Sequence, residues 1–222
     1  MSGPQSQREK IRLQNQAASR KRTTTLILAI TGVVIVALLI YFIPRLGIDT
    51  ADLANQNGFS VGDPNAPVKV ENFSDFRCRY CRQFSETIEK DLIRNYVDTG
   101  KVYLTFKNYP FLTPDSTDAA EAASCAADQN KFWQYKTLLF KNNTASGAFA
   151  ENSLLGYARD LKLDMPTFQS CYQNKAHQSD IQASKDYAAS LGIDSTPQFN
   201  VNGTVVTMDK LMATIDAALA VK

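Results

Sequence analysis

Two cysteines, Cys78 and Cys81, lie three positions apart in the segment FSDFRCRYCRQF, residues 73–84. A C-x-x-C pair can form a reversible disulfide, a structural disulfide, or part of a metal site. The pair is flanked by Arg77, Arg79 and Arg82. A single arginine is usually an ordinary solvated side chain, but positive charge beside a thiol favours the reactive thiolate. The three together therefore predict some activation of the pair.

The elements on either side of the pair determine where the two sulfurs lie. Residues 68–73 (VKVENF) have the pattern of a strand, and apolar residues recur at helical spacing from Cys81 to Tyr96. Cys78 is therefore predicted at a helix N-terminus, where free N–H groups and the helix dipole favour an anion. Cys81, one turn later, is predicted on the inward face.

A redox role fits this position better than a structural or metal-binding role. A disulfide between Cys78 and Cys81 closes almost no loop, so it would add little stability. A zinc site needs about four ligands, and the chain has one histidine, His177. We therefore expect no metal and no cofactor. A tethered module that binds unfolded chains or Cu(I) through two thiolates is the competing class of function.

The rest of the chain predicts an α/β domain over residues 67–222. Residues 101–107 alternate like a second strand, and a helical block follows over about 113–191. A strand, an Asn202-Gly203 hairpin turn, another strand and a helix over 208–221 complete the chain. A β-α-β start with a hairpin finish indicates a mixed sheet with helices on both faces.

The N-terminal third has the pattern of a membrane anchor. The chain has 222 residues and a net charge of +2, with a composition that excludes disordered, collagen-like and nucleic-acid-binding classes. Residues 1–22 hold six Lys/Arg and one Glu, and residues 23–44 carry no charge. A helix over 23–44 would span roughly 33 Å, enough for a bilayer core. A cleaved signal peptide has a shorter apolar region that ends in small residues.

Charge asymmetry then predicts the orientation of the anchor. The basic segment 1–22 is expected in the cytoplasm, residues 45–66 form a linker, and the domain lies outside the cytoplasm, at the cell membrane. Thiols in that compartment can be oxidised, so all four cysteines can form disulfides.

Three segments resemble the DsbA-like thiol-disulfide oxidoreductases of the thioredoxin-like superfamily, in particular their membrane-anchored bacterial members. They are ENFSDFRCRYCRQF, AAEAASCAADQNKFWQYKTLLF and SLGIDSTPQFNVNG. The resemblance runs from about Pro67 to Gly203 and implies a thioredoxin fold with a helical insertion. It also implies that Thr196-Pro197 is the cis-proline loop, whose backbone pairs with extended substrate peptide. A trans turn proline is the alternative reading from the residues alone.

The chain departs from the family pattern at three places. Arg79-Tyr80 stands where the family often has Pro-Tyr or Pro-His, so the redox potential does not carry over. Asn72 aligns with a family acid, and Glu71, one position earlier, is expected on the other face of the sheet. The stretch after Asn202-Gly203 is shorter than usual, which affects the surface offered to substrates.

The second pair, Cys125 and Cys171, falls within the predicted insertion. A bond between them would stabilise the fold by roughly 4 kcal/mol on the chain-entropy model. We predict a structural disulfide, because no charge cluster activates either thiol. A second relay pair and two free buried thiols are the alternatives.

Together these features predict a membrane-anchored, extracytoplasmic enzyme that donates the Cys78–Cys81 disulfide to cysteine-containing secreted proteins as they fold. The resemblance implies reoxidation by a quinone-linked membrane protein of the DsbB or VKOR type. A reductase or isomerase working from the dithiol form is the runner-up. No nucleic-acid partner is expected.

Overall fold

The computed structural model describes Leu53 and residues 55–221. The predicted basic segment 1–22, the predicted anchor 23–44 and the beginning of the predicted linker lie outside the described residues. No helix in the described part of the chain is long and apolar enough to cross a bilayer.

The described residues form one mixed β-sheet with the order β1-β2-β4-β3-β5-β6. Its strands are β1 (Gln56–Asn57), β2 (Ser60–Val61), β3 (Val68–Ser74), β4 (Val102–Asn108), β5 (Gln198–Val201) and β6 (Thr204–Thr207). Strands β3 and β4 are parallel, and every other neighbouring pair is antiparallel. The predicted mixed sheet is confirmed.

The prediction that residues 45–66 form a linker is wrong in its second half. Strands β1 and β2 form a short hairpin, and β2 pairs with β4 in the register Ser60 to Thr105. Val61 is fully buried. Two-residue strands are too short to show alternation, so only the long-range pairing with β4 makes this segment part of the domain.

Eight α-helices and one π-helical turn accompany the sheet in the described residues. They are α1 (Arg79–Glu86), α2 (Ile88–Leu92), the π-helix (Ile93–Val97), α3 (Pro114–Ala127), α4 (Phe132–Asn142), α5 (Glu151–Asp160), α6 (Met165–Gln173), α7 (Gln178–Ser190) and α8 (Leu211–Ala220). Helices α3 to α7 lie between β4 and β5 in the chain and form the predicted insertion.

Two predicted helical stretches are interrupted. The stretch after Cys81 breaks at Thr87, whose backbone (φ −122°, ψ −81°) is not helical. The predicted helical block breaks first between α3 and α4, where Asn130 has a positive φ of 55°. Apolar spacing continues across the break at Thr87, which is why periodicity alone did not reveal it.

The turn Asn202-Gly203 joins β5 to β6 as predicted. Both residues have positive φ, 48° and 94°, the combination that a type I′ hairpin turn requires. Strand β5 pairs with β3 on its other side, so this hairpin fixes the position of the chain just before it, residues 195–197.

The sheet buries apolar side chains on both faces. Val68 and Val70 of β3 lie in the main core with Phe84 of α1. Phe73, which points to the opposite face, packs with Ala188 of α7 in a smaller cluster. Strand β3 is therefore buried on both sides, and the chain that leaves its end, toward Cys78, starts from a rigid base.

Helices α4 and α2 are joined inside the core by an ion pair. The Lys136 ammonium group contacts the Glu89 carboxylate, and both side chains are almost completely buried. The Ser85 hydroxyl accepts a hydrogen bond from Lys136 (2.9 Å) and donates one to Glu89 (3.0 Å). A buried charge needs such partners, and this pair connects α4 of the insertion to α2, with Ser85 of α1 between the two charged groups.

Candidate active site

Cys78 caps the N-terminus of α1. Its backbone is extended (φ −71°, ψ 120°), and its N–H donates to the Asp75 carbonyl at 3.0 Å. The Cys78 sulfur accepts a hydrogen bond from the backbone N–H of Cys81 at 3.3 Å. A side chain that accepts an N–H from the first helical turn is what an N-cap residue provides, and here the acceptor is a sulfur.

This environment lowers the pKa of Cys78 to about 6. The hydrogen bond with the Cys81 side chain is the largest cause, burial opposes it, and Thr196 and the backbone N–H groups of Cys81 and Tyr80 add to the lowering. A thiol with this pKa is mostly ionised at neutral pH, which makes it a good nucleophile and a good leaving group.

Cys81 has the opposite properties. It is 1% exposed, and burial raises its pKa well above the usual range, with the neighbouring Cys78 as the next cause. The Ser74 hydroxyl interacts with Cys81 and offsets part of this rise. The two cysteines are free thiols in the structure. One outer thiolate and one inner protonated thiol form an asymmetric pair.

The Thr196-Pro197 segment lies directly against the outer cysteine. The bond between these two residues is cis. The Cys78 sulfur lies 3.2 Å from the Thr196 carbonyl oxygen, close enough for the thiol to donate a hydrogen bond. Residues 118 positions apart in the chain are thus adjacent, because β5 is held beside β3.

The three arginines do not act as the sequence suggested. Arg82 pairs with Glu86 at 2.7 Å, and Arg79 lies over the ring of its neighbour Tyr80 at 4.5 Å. No arginine is among the groups that lower the pKa of Cys78. The hydrogen bonds at the helix cap, rather than the arginine charges that the sequence suggested, are the causes that lower the pKa of Cys78.

Arg77 instead fastens the active-site loop to the insertion. Its guanidinium forms an ion pair with Asp115 at the start of α3, and it donates to the Asn143 carbonyl at 2.7 Å. It also lies over the ring of Phe149 at 4.2 Å. The hydrogen bond from Arg77 lowers the pKa of the Asp115 carboxyl.

Asp75 is a site residue that sequence reasoning missed. It is 1% exposed, and one carboxylate oxygen accepts the N–H groups of Phe111 and Leu112, each at 2.9 Å. The other oxygen accepts from the Arg77 N–H at 2.7 Å and the Ser116 hydroxyl at 2.8 Å. The available signal was its position three residues before Cys78, between the predicted strand and the C-x-x-C pair. A buried carboxylate must be hydrogen-bonded, and this one accepts four hydrogen bonds.

This carboxylate holds an apolar loop beside the active site. Phe111 and Leu112 are 44% and 46% exposed, and Tyr80 within the C-x-x-C motif is 47% exposed. Large apolar side chains are exposed at few other places in the described chain. We call these three residues the apolar rim.

The position where the family carries an acid is occupied by a neutral pair. Asn72 is buried and accepts a hydrogen bond from Ser74 at 2.7 Å. Glu71 lies on the opposite face of the sheet as predicted, where it contacts Lys107 (3.2 Å) and Tyr187 (2.8 Å). Strand β3 therefore provides no carboxylate on the face where the family carries its acid.

The second cysteine pair is a disulfide. Cys125 of α3 and Cys171 of α6 are joined with a Cα to Cα distance of 5.8 Å across a sequence separation of 46. The bond ties two insertion helices together, and it lies on different elements from Cys78 and Cys81.

A C-x-x-C pair at the N-terminus of a helix, in direct contact with a cis-proline loop and supported by a mixed sheet, defines a thioredoxin-fold redox protein. The thioredoxin family matches residues 54–220 of this chain. The probable disulfide bond formation protein D of Bacillus anthracis is 31% identical over 168 residues, which cover 72% of this chain and 77% of that protein. Its Bacillus cereus counterpart is 31% identical over 156 residues, 68% of this chain and 72% of that protein.

The solved structures agree. Oxidised BdbD from Bacillus subtilis shares the fold with a TM-score of 0.68 at 24% identity, over 74% of this chain and 94% of that chain. The chain belongs to the thioredoxin family and, within it, to the DsbA-like thiol-disulfide oxidoreductases. It is a protein thiol-disulfide oxidoreductase.

Proposed function

We propose that the protein is a membrane-anchored, extracytoplasmic oxidase that donates the Cys78–Cys81 disulfide to cysteine-containing secreted proteins while they fold. The observation that carries this proposal is the stabilised Cys78 thiolate, whose pKa is lowered to about 6. Whatever stabilises the thiolate stabilises the reduced enzyme, so the disulfide form becomes the better oxidant.

The transfer follows from the asymmetry of the pair. In the oxidised enzyme a substrate thiolate attacks the Cys78 sulfur, the Cys78–Cys81 bond breaks, and Cys81 leaves and takes up a proton. A second substrate thiolate then attacks the substrate sulfur of the mixed disulfide and expels Cys78 as its stable thiolate. Two electrons pass from substrate to enzyme, and the substrate gains one disulfide.

The surface around Cys78 suits an unfolded peptide. The apolar rim supplies exposed apolar contacts, and the Thr196 backbone lies 3.2 Å from the reacting sulfur. An extended substrate segment that pairs with the backbone at Thr196 would place a cysteine beside Cys78. This recognition does not depend on substrate sequence, as a general folding catalyst requires.

Location and reoxidation rest on the N-terminal sequence. The uncharged residues 23–44, preceded by a basic segment, support an anchor with the catalytic domain outside the cytoplasm. An enzyme left reduced after each cycle needs an oxidant, and a quinone-linked membrane protein of the DsbB or VKOR type would be a neighbour in the same membrane. Protease accessibility of the domain in cells without a wall tests this location.

The redox potential separates an oxidase from a reductase or isomerase. We expect the Cys78–Cys81 couple, equilibrated with glutathione buffers, to be distinctly more oxidising than thioredoxin at about −270 mV. The protein should also oxidise a reduced peptide dithiol faster than it reduces insulin. A potential near that of thioredoxin, with efficient insulin reduction, would favour the reductase.

A further inference from the structure

The surroundings of the second disulfide have the composition of a metal site. The two sulfurs of Cys125 and Cys171 and one ring nitrogen of His177 all lie within 4.8 Å of one another. The Asp128 carboxylate adds an oxygen to this group, because it lies 2.8 Å from His177 Nε2 and 3.7 Å from the Cys171 sulfur. Two sulfurs and one nitrogen thus converge at the end of α3, and the Asp128 oxygen lies next to two of them, His177 Nε2 and the Cys171 sulfur.

We propose that reduction of the Cys125–Cys171 disulfide creates a zinc site formed by Cys125, Cys171, His177 and Asp128. While the disulfide is intact, neither sulfur can act as a thiolate ligand. The site is therefore a redox-gated metal centre, separate from the Cys78–Cys81 pair.

The donor set selects for zinc. Thiolate and imidazole ligands favour Zn²⁺, whereas Ca²⁺ and Mg²⁺ prefer sites made of oxygen. Two sulfurs, one imidazole and one carboxylate give the four-coordinate tetrahedral site that structural zinc adopts. At zinc bond lengths the two sulfurs would lie about 3.8 Å apart. Rotation of the cysteine side chains can supply this separation at a Cα to Cα distance of 5.8 Å.

The histidine is oriented as a zinc ligand would be. His177 Nε2 faces Asp128, while Nδ1 lies 3.3 Å from the carboxylate of Asp180. A carboxylate on the second ring nitrogen fixes the tautomer and raises the basicity of the ligating nitrogen, as at many zinc sites. The His177 backbone is also fixed, since its N–H donates to Glu121 at 2.8 Å.

The site has an entrance from solvent. The side chain of Asp128 is 50% exposed, and Cys171 is half-buried, whereas Cys125 is buried. A dithiol can therefore attack the Cys171 sulfur and form a mixed disulfide with it. Closure of the dithiol into its own disulfide then leaves two thiols on the protein. Zinc binding displaces the two thiol protons.

The consequence is a second way to hold the insertion together. The disulfide joins α3 to α6, whereas zinc would join α3, α6 and the start of α7. Because metal binding to a site formed only in the folded state adds to folding stability, zinc would replace the lost cross-link under reducing conditions.

The test uses the full chain with Cys78→Ser and Cys81→Ser, so that the active-site thiols cannot bind metal. The protein is reduced with a phosphine and titrated with Zn²⁺ against a chromophoric chelator, and Co²⁺ is used to detect thiolate-to-metal charge transfer. We expect one Zn²⁺ per reduced chain and none per oxidised chain. Asp180→Asn should weaken binding by about 10- to 100-fold, and His177→Ala should weaken it more.

Asp160→Asn, at the end of α5, is the matched control and should bind zinc like the parent. Absence of zinc uptake by the reduced chain would overturn the proposal, as would equal uptake by the His177→Ala variant. If reduction unfolds the chain, thermal unfolding with and without Zn²⁺ decides the question. Zinc should restore a cooperative transition, and failure to restore it counts against the site.

Discussion

The two cysteine pairs of this protein have opposite chemistry although both lie on or next to helices and each contains a buried cysteine. Cys78 is the N-cap residue of α1 and its sulfur accepts a backbone N–H, whereas Cys125 lies in the last turn of α3. The first pair is a dithiol and the second is a disulfide. Position along a helix, rather than burial, separates them.

The difference shows how one functional group serves two purposes. At a helix N-terminus the free N–H groups stabilise negative charge, so the thiolate forms easily and the disulfide is readily reduced. A disulfide between two helices far apart in the chain limits the conformations of the unfolded state and so stabilises the folded protein.

Replacing Cys78 should remove activity and leave the fold intact. We expect Cys78→Ser to reduce disulfide transfer to the uncatalysed rate, because the attacked sulfur is absent. Peptide dithiol oxidation measures the activity, and circular dichroism checks the fold. Unchanged peptide binding by this variant, together with no transfer above the uncatalysed rate by the parent protein, would instead support a non-catalytic binding module.

Replacing the other pair should have the reverse effect. The double variant Cys125→Ala and Cys171→Ala should lose roughly 4 kcal/mol of unfolding free energy on the chain-entropy model, measured by denaturant unfolding. The thiolate titration of Cys78 should keep its midpoint near pH 6. A shifted midpoint would show that the two pairs are coupled.

The stability of the reduced enzyme should depend on pH through Cys78. Its folded-state pKa of about 6 lies below the unfolded value near 8.5, so the contribution is fully present above the unfolded value. It is lost as pH falls through 6. We expect reduced-protein stability to rise from pH 6 to 8.5, relative to Cys78→Ser. The raised pKa of Cys81 lowers the stability of the reduced protein as pH rises, but only above this pH window.

The oxidised protein is the control, since a disulfide does not titrate. An equal rise in its stability across the same window would mean that other groups cause the effect.

Asp75 connects the active-site loop to the apolar rim, and its removal should have a moderate effect. Asp75→Asn replaces one acceptor oxygen with an N–H₂ group that faces other donors, so we expect a loss of about 1 to 3 kcal/mol of stability. Oxidation of peptide dithiols should slow as the loop of Phe111 and Leu112 loosens. Ser116→Ala, which removes one of the donors to Asp75, should have a smaller effect. Equal effects from the two variants would show that Asp75 does not anchor the loop.

Local signals predicted much of this molecule. The strand before Cys78, the helix after it and the Asn202-Gly203 turn depend on neighbouring residues, and each was evident from spacing or residue type. The place of Cys78 at the helix start followed from the same local pattern.

The features that sequence reasoning missed depend on distant partners. Asp75 has its role because residues 111 and 112 come back to it, and β2 is a strand only because β4 pairs with it. Lys136 and Glu89 are buried together although each is a typical surface residue by type. Arg77 belongs with these features, because its partners Asp115 and Asn143 lie far along the chain.

The smallest expected effect comes from the exposed arginines around Cys78. Arg82→Ala removes an exposed helix pair with Glu86, and such pairs contribute little, so stability should change by less than about 0.5 kcal/mol. The thiolate midpoint should stay near pH 6, because hydrogen bonds at the helix start rather than arginine charges set it. Arg79→Ala should behave in the same way. A rise of the thiolate midpoint by a full pH unit in either variant would show that the surrounding charges activate Cys78. The two cysteine pairs would then differ in the charges around them.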